Sequence, residues 1–208
     1  MNSITTQPEP AGLRERKKLE TKQALALAAM RLAVERGLEN VRVEDITDAV
    51  NVSRRTFTNY FSGKEEAIAY LNADRAARAA RALAGRPAGE PLADALAEAF
   101  AAQHQAAAAG MDPHRSDGVQ LMMTSPALRG EYLKTLVQAE GPLAEVIAER
   151  TGADPERDLY PKVLAAAVTA AVRAATGHWM DTGAAGSLPD LIRQAVRQIT
   201  CPQAATAS

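Results

Sequence analysis

The stretch Val43-Glu44-Asp45-Ile46-Thr47-Asp48-Ala49-Val50-Asn51-Val52-Ser53-Arg54-Arg55-Thr56-Phe57-Thr58-Asn59-Tyr60-Phe61 decides the reading of the whole chain. Its pattern predicts two short helices, Val43–Val50 and Arg54–Phe61, joined by the three-residue turn Asn51-Val52-Ser53. Ser53 is a good N-cap for the second helix. Ile46, Ala49, Val52 and Phe57 are spaced to form a small inner core. Two short helices joined so tightly suit a helix-turn-helix, whose second helix enters the major groove of DNA. The outer face of that helix is then Arg54, Arg55, Thr56, Thr58, Asn59 and Tyr60. Arginine can bond guanine at O6 and N7, asparagine can bond adenine, and the threonine methyl can pack on thymine. Hydroxyls and lysines supply phosphate contacts.

Outward from this stretch the chain reads as helix throughout. Leu25, Ala28, Ala29, Leu32 and Ala33 recur on one face, predicting a helix from about Leu13 to Arg36 that ends at Gly37. A fourth helix starts near Lys64 and runs to about Leu83. Gly85–Pro91 and Gly110–Pro113 are breaks. Helical patterns cover Leu92–Ala109, Ser116–Thr124 and Pro126–Thr151, with Ser125 as N-cap and a kink at Gly141-Pro142. Asp154-Pro155 caps a further start, Pro161–Thr182 forms a long alanine-rich helix, and Ser187-Leu188-Pro189 opens a last helix ending near Thr200. The expected fold is all-α, with about nine helices and no strand.

Composition agrees. The 208 residues include 45 alanines but only 4% aromatics, which favours helix over strand. A chain of this length buries a core without disulfides or metals. A single cysteine, Cys201, excludes a disulfide framework and a cysteine-rich zinc module. No apolar run is long enough to span a bilayer, and Met1–Gly12 has no apolar signal core, so the expected location is the cytosol, with no membrane partner. Residues 1–64 hold 11 basic and 8 acidic side chains, a balance of +3, against 13 and 17, a balance of −4, in the remainder. A basic head on an acidic body fits a DNA reader with a second task.

An enzyme is disfavoured. The chain has no Gly-rich phosphate loop, no H-E-x-x-H and no G-x-S-x-G. His104, His114 and His178 are dispersed, without metal-ligand spacing. No cofactor is implied.

From Leu13 to Leu71 the sequence resembles the TetR family of bacterial transcriptional regulators. The resemblance is carried by Leu32 with Glu35-Arg36-Gly37-Leu38, by Val43-Glu44-Asp45-Ile46, by Val52-Ser53-Arg54-Arg55-Thr56-Phe57, and by Asn59-Tyr60-Phe61 with Lys64-Glu65-Glu66. It implies a three-helix DNA-binding domain joined to a helical regulatory domain, in a homodimer that is usually a repressor released by a small molecule. The implied organisation is a disordered arm at 1–12, a DNA-binding domain at 13–62, a regulatory domain at 63–201 and a disordered tail at 202–208. The recognition helix falls on Arg54–Phe61 and a phosphate contact on Lys64. Arg14, Arg16, Lys17 and Lys18 add phosphate or minor-groove contacts. Where the family usually carries Thr or Ser, this chain has Arg42, which weakens a helix cap and can reach a phosphate instead. Asn51 replaces the usual turn glycine and tolerates the left-handed conformation. Thr58 stands where an aromatic is common.

For the regulatory half the resemblance places a ligand pocket among the middle helices. Candidate lining residues are Phe100, His104, Leu121, Met122, Met123, Leu133, Leu136, Val137, Glu140, His178 and Trp179. Methionines adapt to irregular shapes, which suits an apolar or amphipathic effector. The final two helices are the implied dimer interface, with small residues over Ala165–Ala175 and an apolar stripe of Leu191, Val196 and Ile199. The alternative reading is a relative controlled by a protein partner rather than a small molecule.

Overall fold

A computed structural model describes residues 11–109 and 115–200. Among them there is helix and no strand. The helices are α1 (Ala11–Arg36), α2 (Val43–Val50), α3 (Arg54–Thr58), α4 (Lys64–Ala84), α5 (Leu92–Ala109), α6 (Arg115–Thr124), α7 (Pro126–Thr151), α8 (Leu159–Asp181) and α9 (Leu188–Thr200), with a 3-10 turn at Leu38–Asn40. The first helix starts at Ala11, so the last two residues of the expected arm are helical. The rest of the arm, the break at 110–113, His114, Cys201 and the tail lie outside the described residues. No described helix is long and apolar enough to cross a membrane. The chain divides into two compact units that part between Ile68 and Ala69, inside α4.

In the first unit α1 packs on the 3-10 turn and on α2, and α2 packs on α3. The apolar face predicted for α1 is buried: Leu25, Ala28, Ala29, Leu32 and Ala33 are all inside. Ile46, Phe57 and Phe61 join the buried set. Ala49 does not; it is exposed, and Thr47 is buried in its stead. The Thr47 hydroxyl satisfies itself by donating to the Glu44 carbonyl at 3.0 Å, which lets a polar side chain enter the core. Gly37 ends α1 at φ +83° and ψ 141°. This differs from the left-handed cap conformation and is open essentially to glycine alone. A Cβ there would also meet Glu39 Oε1 at 2.7 Å.

In the second unit α9 packs on both α5 and α8, α7 packs on α8, and α6 on α7 and α8. The core is built from Leu83, Leu96, Phe100, Leu143, Ile147, Val168, Ile192 and Val196. Ala165, Ala171, Ala175 and Val196, expected at a dimer interface, are buried within the chain instead. Ala165, Ala175 and Val196 belong to the core of the second unit, together with the larger Leu164 and Val168 of α8. The outward face of α8 carries Leu159, Val163, Ala170 and Ala174, at spacings of four and seven residues, with Tyr160 beside it. Across the surface Arg193 Nε donates to Glu98 at 2.9 Å and Arg197 to Asp94 at 3.1 Å, tying α9 to α5.

Two other expectations are modified, and α7 carries Pro142 inside it. Ser125 precedes α7 with Pro126 at its first turn, but its side chain makes no capping bond. The helix runs on through Gly141 and Pro142, both of which are exposed. Asp154 accepts the Glu156 and Arg157 amides at 2.9 and 3.3 Å, and α8 then begins at Leu159, two residues before the expected start.

The loop between α4 and α5 is closed by its own Arg86–Glu90 ion pair and braced from α7 by Arg150. Arg150, on α7, donates to the carbonyls of Leu83, Arg86, Pro87 and Glu90 at 3.0–3.4 Å. A planar fork of five N–H donors can span four acceptors, and an ammonium cannot. Arg150→Ala is therefore expected to cost about 1–3 kcal/mol in urea unfolding, and Arg150→Lys to recover little of it; equal stability of wild type and Arg150→Ala would contradict this role.

Candidate nucleic-acid interface and regulatory site

The turn before α3 is built as its residues dictate. Asn51 adopts φ 56° and ψ 48°, the left-handed conformation it was expected to tolerate. Its amide bonds Asp48 O at 3.2 Å, and the Val52 amide bonds Thr47 O at 3.0 Å. Ser53 then caps α3: its Oγ accepts the Thr56 amide at 3.1 Å and lies 2.9 Å from Thr56 Oγ1. Arg42 precedes α2 and has no acceptor to offer. Half of a capping box survives without it, because the Asp45 carboxylate accepts the Arg42 amide at 2.8 Å.

α3 is shorter than predicted. Its regular turns end at Thr58, and Asn59-Tyr60 continue as a turn. The Tyr60 amide bonds Phe57 O at 2.9 Å, the tightened i→i+3 bond common at helix ends. Phe57 is buried and its ring lies 5.7 Å from that of Phe61, over which Lys22 Nζ sits at 5.4 Å. With Phe57 turned in, Ser53, Arg54, Arg55, Thr58 and Asn59 are exposed, while Thr56 and Tyr60 are half-buried. The Thr58 hydroxyl donates to Arg55 O at 3.0 Å, leaving its oxygen free to accept. Arg42 is exposed at the start of α2, and Lys17 and Lys18 are exposed on α1.

Lys64 is placed differently. Its ammonium is half-buried and donates to Leu38 O at 2.6 Å and Val41 O at 2.9 Å. It ties the start of α4 to the connection between α1 and α2. Two of its three protons are committed there, so at most one is left for a phosphate.

In the second unit the candidate ligand residues separate into groups. Phe100 lies in the packed core and Trp179 packs against it, with Nε1 donating to Gly186 O at 3.3 Å. His104 is buried, and its Nδ1 bonds the Phe100 carbonyl at 3.0 Å, one turn back on its own helix. Met122 is buried and its sulfur accepts from Asn72 Nδ2. Leu121, Met123, Leu136 and Glu140 are half-buried. Glu140 Oε1 accepts from Thr169 at 3.3 Å. Leu133 and Val137 face outward at 55% and 68% exposure, and His178 is exposed too. Leu133 and Val137 are one turn apart on α7, so this face of the helix presents two large apolar side chains to solvent among the described residues.

Three side chains near this region escaped sequence reasoning. Asn72 and Arg75 lie on α4, with Arg75 Nη1 donating to Asn72 Oδ1 at 3.0 Å. Tyr132 lies on α7. Burial pushes its phenol above the ordinary range, while the positive charges of Arg173 and Arg75 pull it back. An isolated tyrosine or arginine in a polar helical stretch carries no periodic signal, so the sequence alone did not single them out.

Because the Ser53 side-chain oxygen caps α3, Ser53→Ala is expected to lower head stability by about 1 kcal/mol in chemical denaturation, with Ser53→Thr retaining most of it.

These features have close counterparts. Residues 25–70 match the family described as "Bacterial regulatory proteins, tetR family", and residues 90–203 match "MftR C-terminal domain". The chain is 35% identical over 185 residues to the HTH-type transcriptional regulator TcmR of Streptomyces glaucescens, covering 85% of this chain and 80% of that one. Among solved structures, a TetR-family transcriptional regulator from Rhodococcus sp. is similar in fold, with a TM-score of 0.55 at 20% identity over 88% of this chain and 97% of that one. The fatty acid degradation regulator FadR of Bacillus halodurans also has a TM-score of 0.55, at 14% identity over 94% and 98%. A helix-turn-helix of this geometry, followed by a helical domain of the same family, makes the chain a member of the TetR family of DNA-binding transcriptional regulators, and not an enzyme.

Proposed function

We propose that this regulator is a homodimeric repressor that leaves its operator when a small apolar or amphipathic molecule binds its second unit. The observation that carries the DNA-reading part is the two-sidedness of α3. Its Phe57 side is buried, and its other side presents Arg54, Arg55, Thr58 and Asn59 to solvent. These residues read base edges, with Tyr60, Thr56 and Ser53 at the margin. Arg42, Lys17, Lys18 and the remaining proton of Lys64 add phosphate contacts. Such contacts fix register, whereas base contacts confer sequence preference.

One such head covers too little DNA to be selective, which supports a dimer reading two half-sites. The outward stripe of α8 suits the interface. Leu159, Tyr160 and Val163 are 71%, 56% and 53% exposed, and Ala170 and Ala174 extend the stripe with small side chains that admit close helix packing. Ile199 adds an exposed apolar side chain on α9.

The effector reading is supported by Leu121, Met122 and Met123 on α6, Leu136 and Tyr132 on α7, and Asn72 and Arg75 on α4. Together they offer adaptable apolar surface with a few donors. α4 carries both Lys64 at its start and Asn72 and Arg75 two to three turns on. A ligand gripped by Asn72 or Arg75 thus acts on the helix that anchors the head. It lowers DNA affinity to the extent that it binds the DNA-free arrangement more tightly.

Electrophoretic shift on the DNA flanking the chain's own gene, at about 0.15 M salt because affinity is strongly salt-dependent, tests the reading. Arg55→Ala or Tyr60→Ala is expected to weaken binding by about tenfold or more, the worth of a good base contact, with the dimer intact; unchanged binding in both variants would contradict the assignment of α3. Leu159→Glu with Val163→Glu is expected to give a monomer by light scattering, and a dimer unaffected by these changes would move the interface elsewhere.

A further inference from the structure

On the surface of the head the guanidinium of Arg54 reaches back to Glu44, Nη1 to Oε1 at 2.7 Å. Arg54 opens α3 and Glu44 lies in the first turn of α2, so the pair links the two helices of the helix-turn-helix. Both side chains are wet, at 70% and 53% exposure. Ion pairs this exposed contribute little to folding. The carboxylate has another consequence. It stands beside the helix that meets DNA, where it repels approaching phosphates unless a cation neutralises it. A surface selected only for phosphate affinity would not carry it.

The neighbouring arginine offers the contrast. Arg55 is exposed and, among the described residues, pairs with no carboxylate. Among the described residues, two adjacent cations thus stand in different states, one tethered to a carboxylate and one not. A guanidinium bonded through one Nη1 proton still has four N–H donors in a fixed plane. The tether restricts where those donors point, which matters for a bidentate base contact and little for a phosphate.

We propose that Glu44 is a specificity-determining residue: it orients the Arg54 guanidinium for a base edge and withholds it from the phosphate backbone. The proposal rests on the DNA-reading role of α3 given above. Sequence-independent binding comes from phosphates neutralised by cations, and its salt dependence counts them. Removing the carboxylate frees Arg54 for one more phosphate and lets it rotate away from its base.

The test uses the full chain, with Glu44→Gln, Glu44→Asp, Arg54→Gln and the double variant Glu44→Gln/Arg54→Gln. The probes are a duplex enriched from a random-sequence pool by the wild-type chain and a scrambled duplex of the same length. Fluorescence anisotropy over a salt series gives the affinities. Glu44→Gln is expected to bind the scrambled duplex about fivefold more tightly, the size of one close charge contact in water. Its slope of log K against log salt steepens by about 0.9, and its preference for the enriched duplex falls. Glu44→Asp keeps the charge and the preference. In the Arg54→Gln background, Glu44→Gln changes neither slope nor preference. The proposal is overturned if Glu44→Gln leaves both slope and preference unchanged, if the change in slope and preference persists without Arg54, or if it lowers the melting temperature and so acts on the fold; loss of the carboxylate's own repulsion tightens binding in either background and is read apart from these two. A wild-type chain that enriches no sequence overturns the DNA-reading role of α3 itself, and this is seen before any variant is made.

Discussion

Five residues of helix cannot hold themselves together in water, because the first turn costs more conformational entropy than its bonds return. α3 exists because Phe57 is buried from its underside, against a head whose other large buried side chains include Leu25, Ile46 and Phe61. Burying such a side chain contributes about 1.5–3 kcal/mol, enough to offset the ordering of a short helix. Everything the head offers to DNA depends on that one anchor. It fixes which face of α3 turns outward, and so places Arg54, Arg55, Thr58 and Asn59 on a common surface. Ser53 and Asn51 set the angle at which the helix starts, and Lys64 ties the start of α4 to the backbone between α1 and α2.

The second unit divides its labour along its helices. Toward Leu83, Leu96, Leu143, Ile192 and Val196 it is packed and dry, closed by α9 and by the Arg193–Glu98 pair. Along Leu71–Arg78 of α4 every residue is half-buried instead. A helix that is neither inside nor outside over two turns is a poor core element. Met122 bonds Asn72 of this stretch and the charge of Arg75 reaches Tyr132, whereas Phe100 belongs to the packed core and His104 bonds its carbonyl.

The sequence made the head legible because local rules and tertiary packing agree there. The bounds of α2 are read without error, since Val43 and Val50 fall between a clear turn and an extended connection. The failures have physical causes. Ala49 looks like core by spacing, yet α2 is rotated so that Thr47 enters, its hydroxyl already satisfied by its own helix. α3 ends early because the turn after it tightens, which no composition signals. The regulatory half was legible as helices but not as a site. Alanine-rich helices give few clues to which face is inside, so Ala165, Ala171 and Ala175 suggested an interface while serving the core. Asn72 and Arg75 are neighbours on α4, but Met122 and Tyr132 join them only through tertiary proximity.

The central claim is that α3 of two copies reads DNA at once. Nuclease protection of the DNA flanking the chain's own gene tests it most directly. The account predicts two protected half-sites whose centres lie about 34–36 Å apart, or a multiple of that spacing, on one face of the duplex. Protection of one isolated half-site, or uniform weak protection without sequence preference, would contradict it.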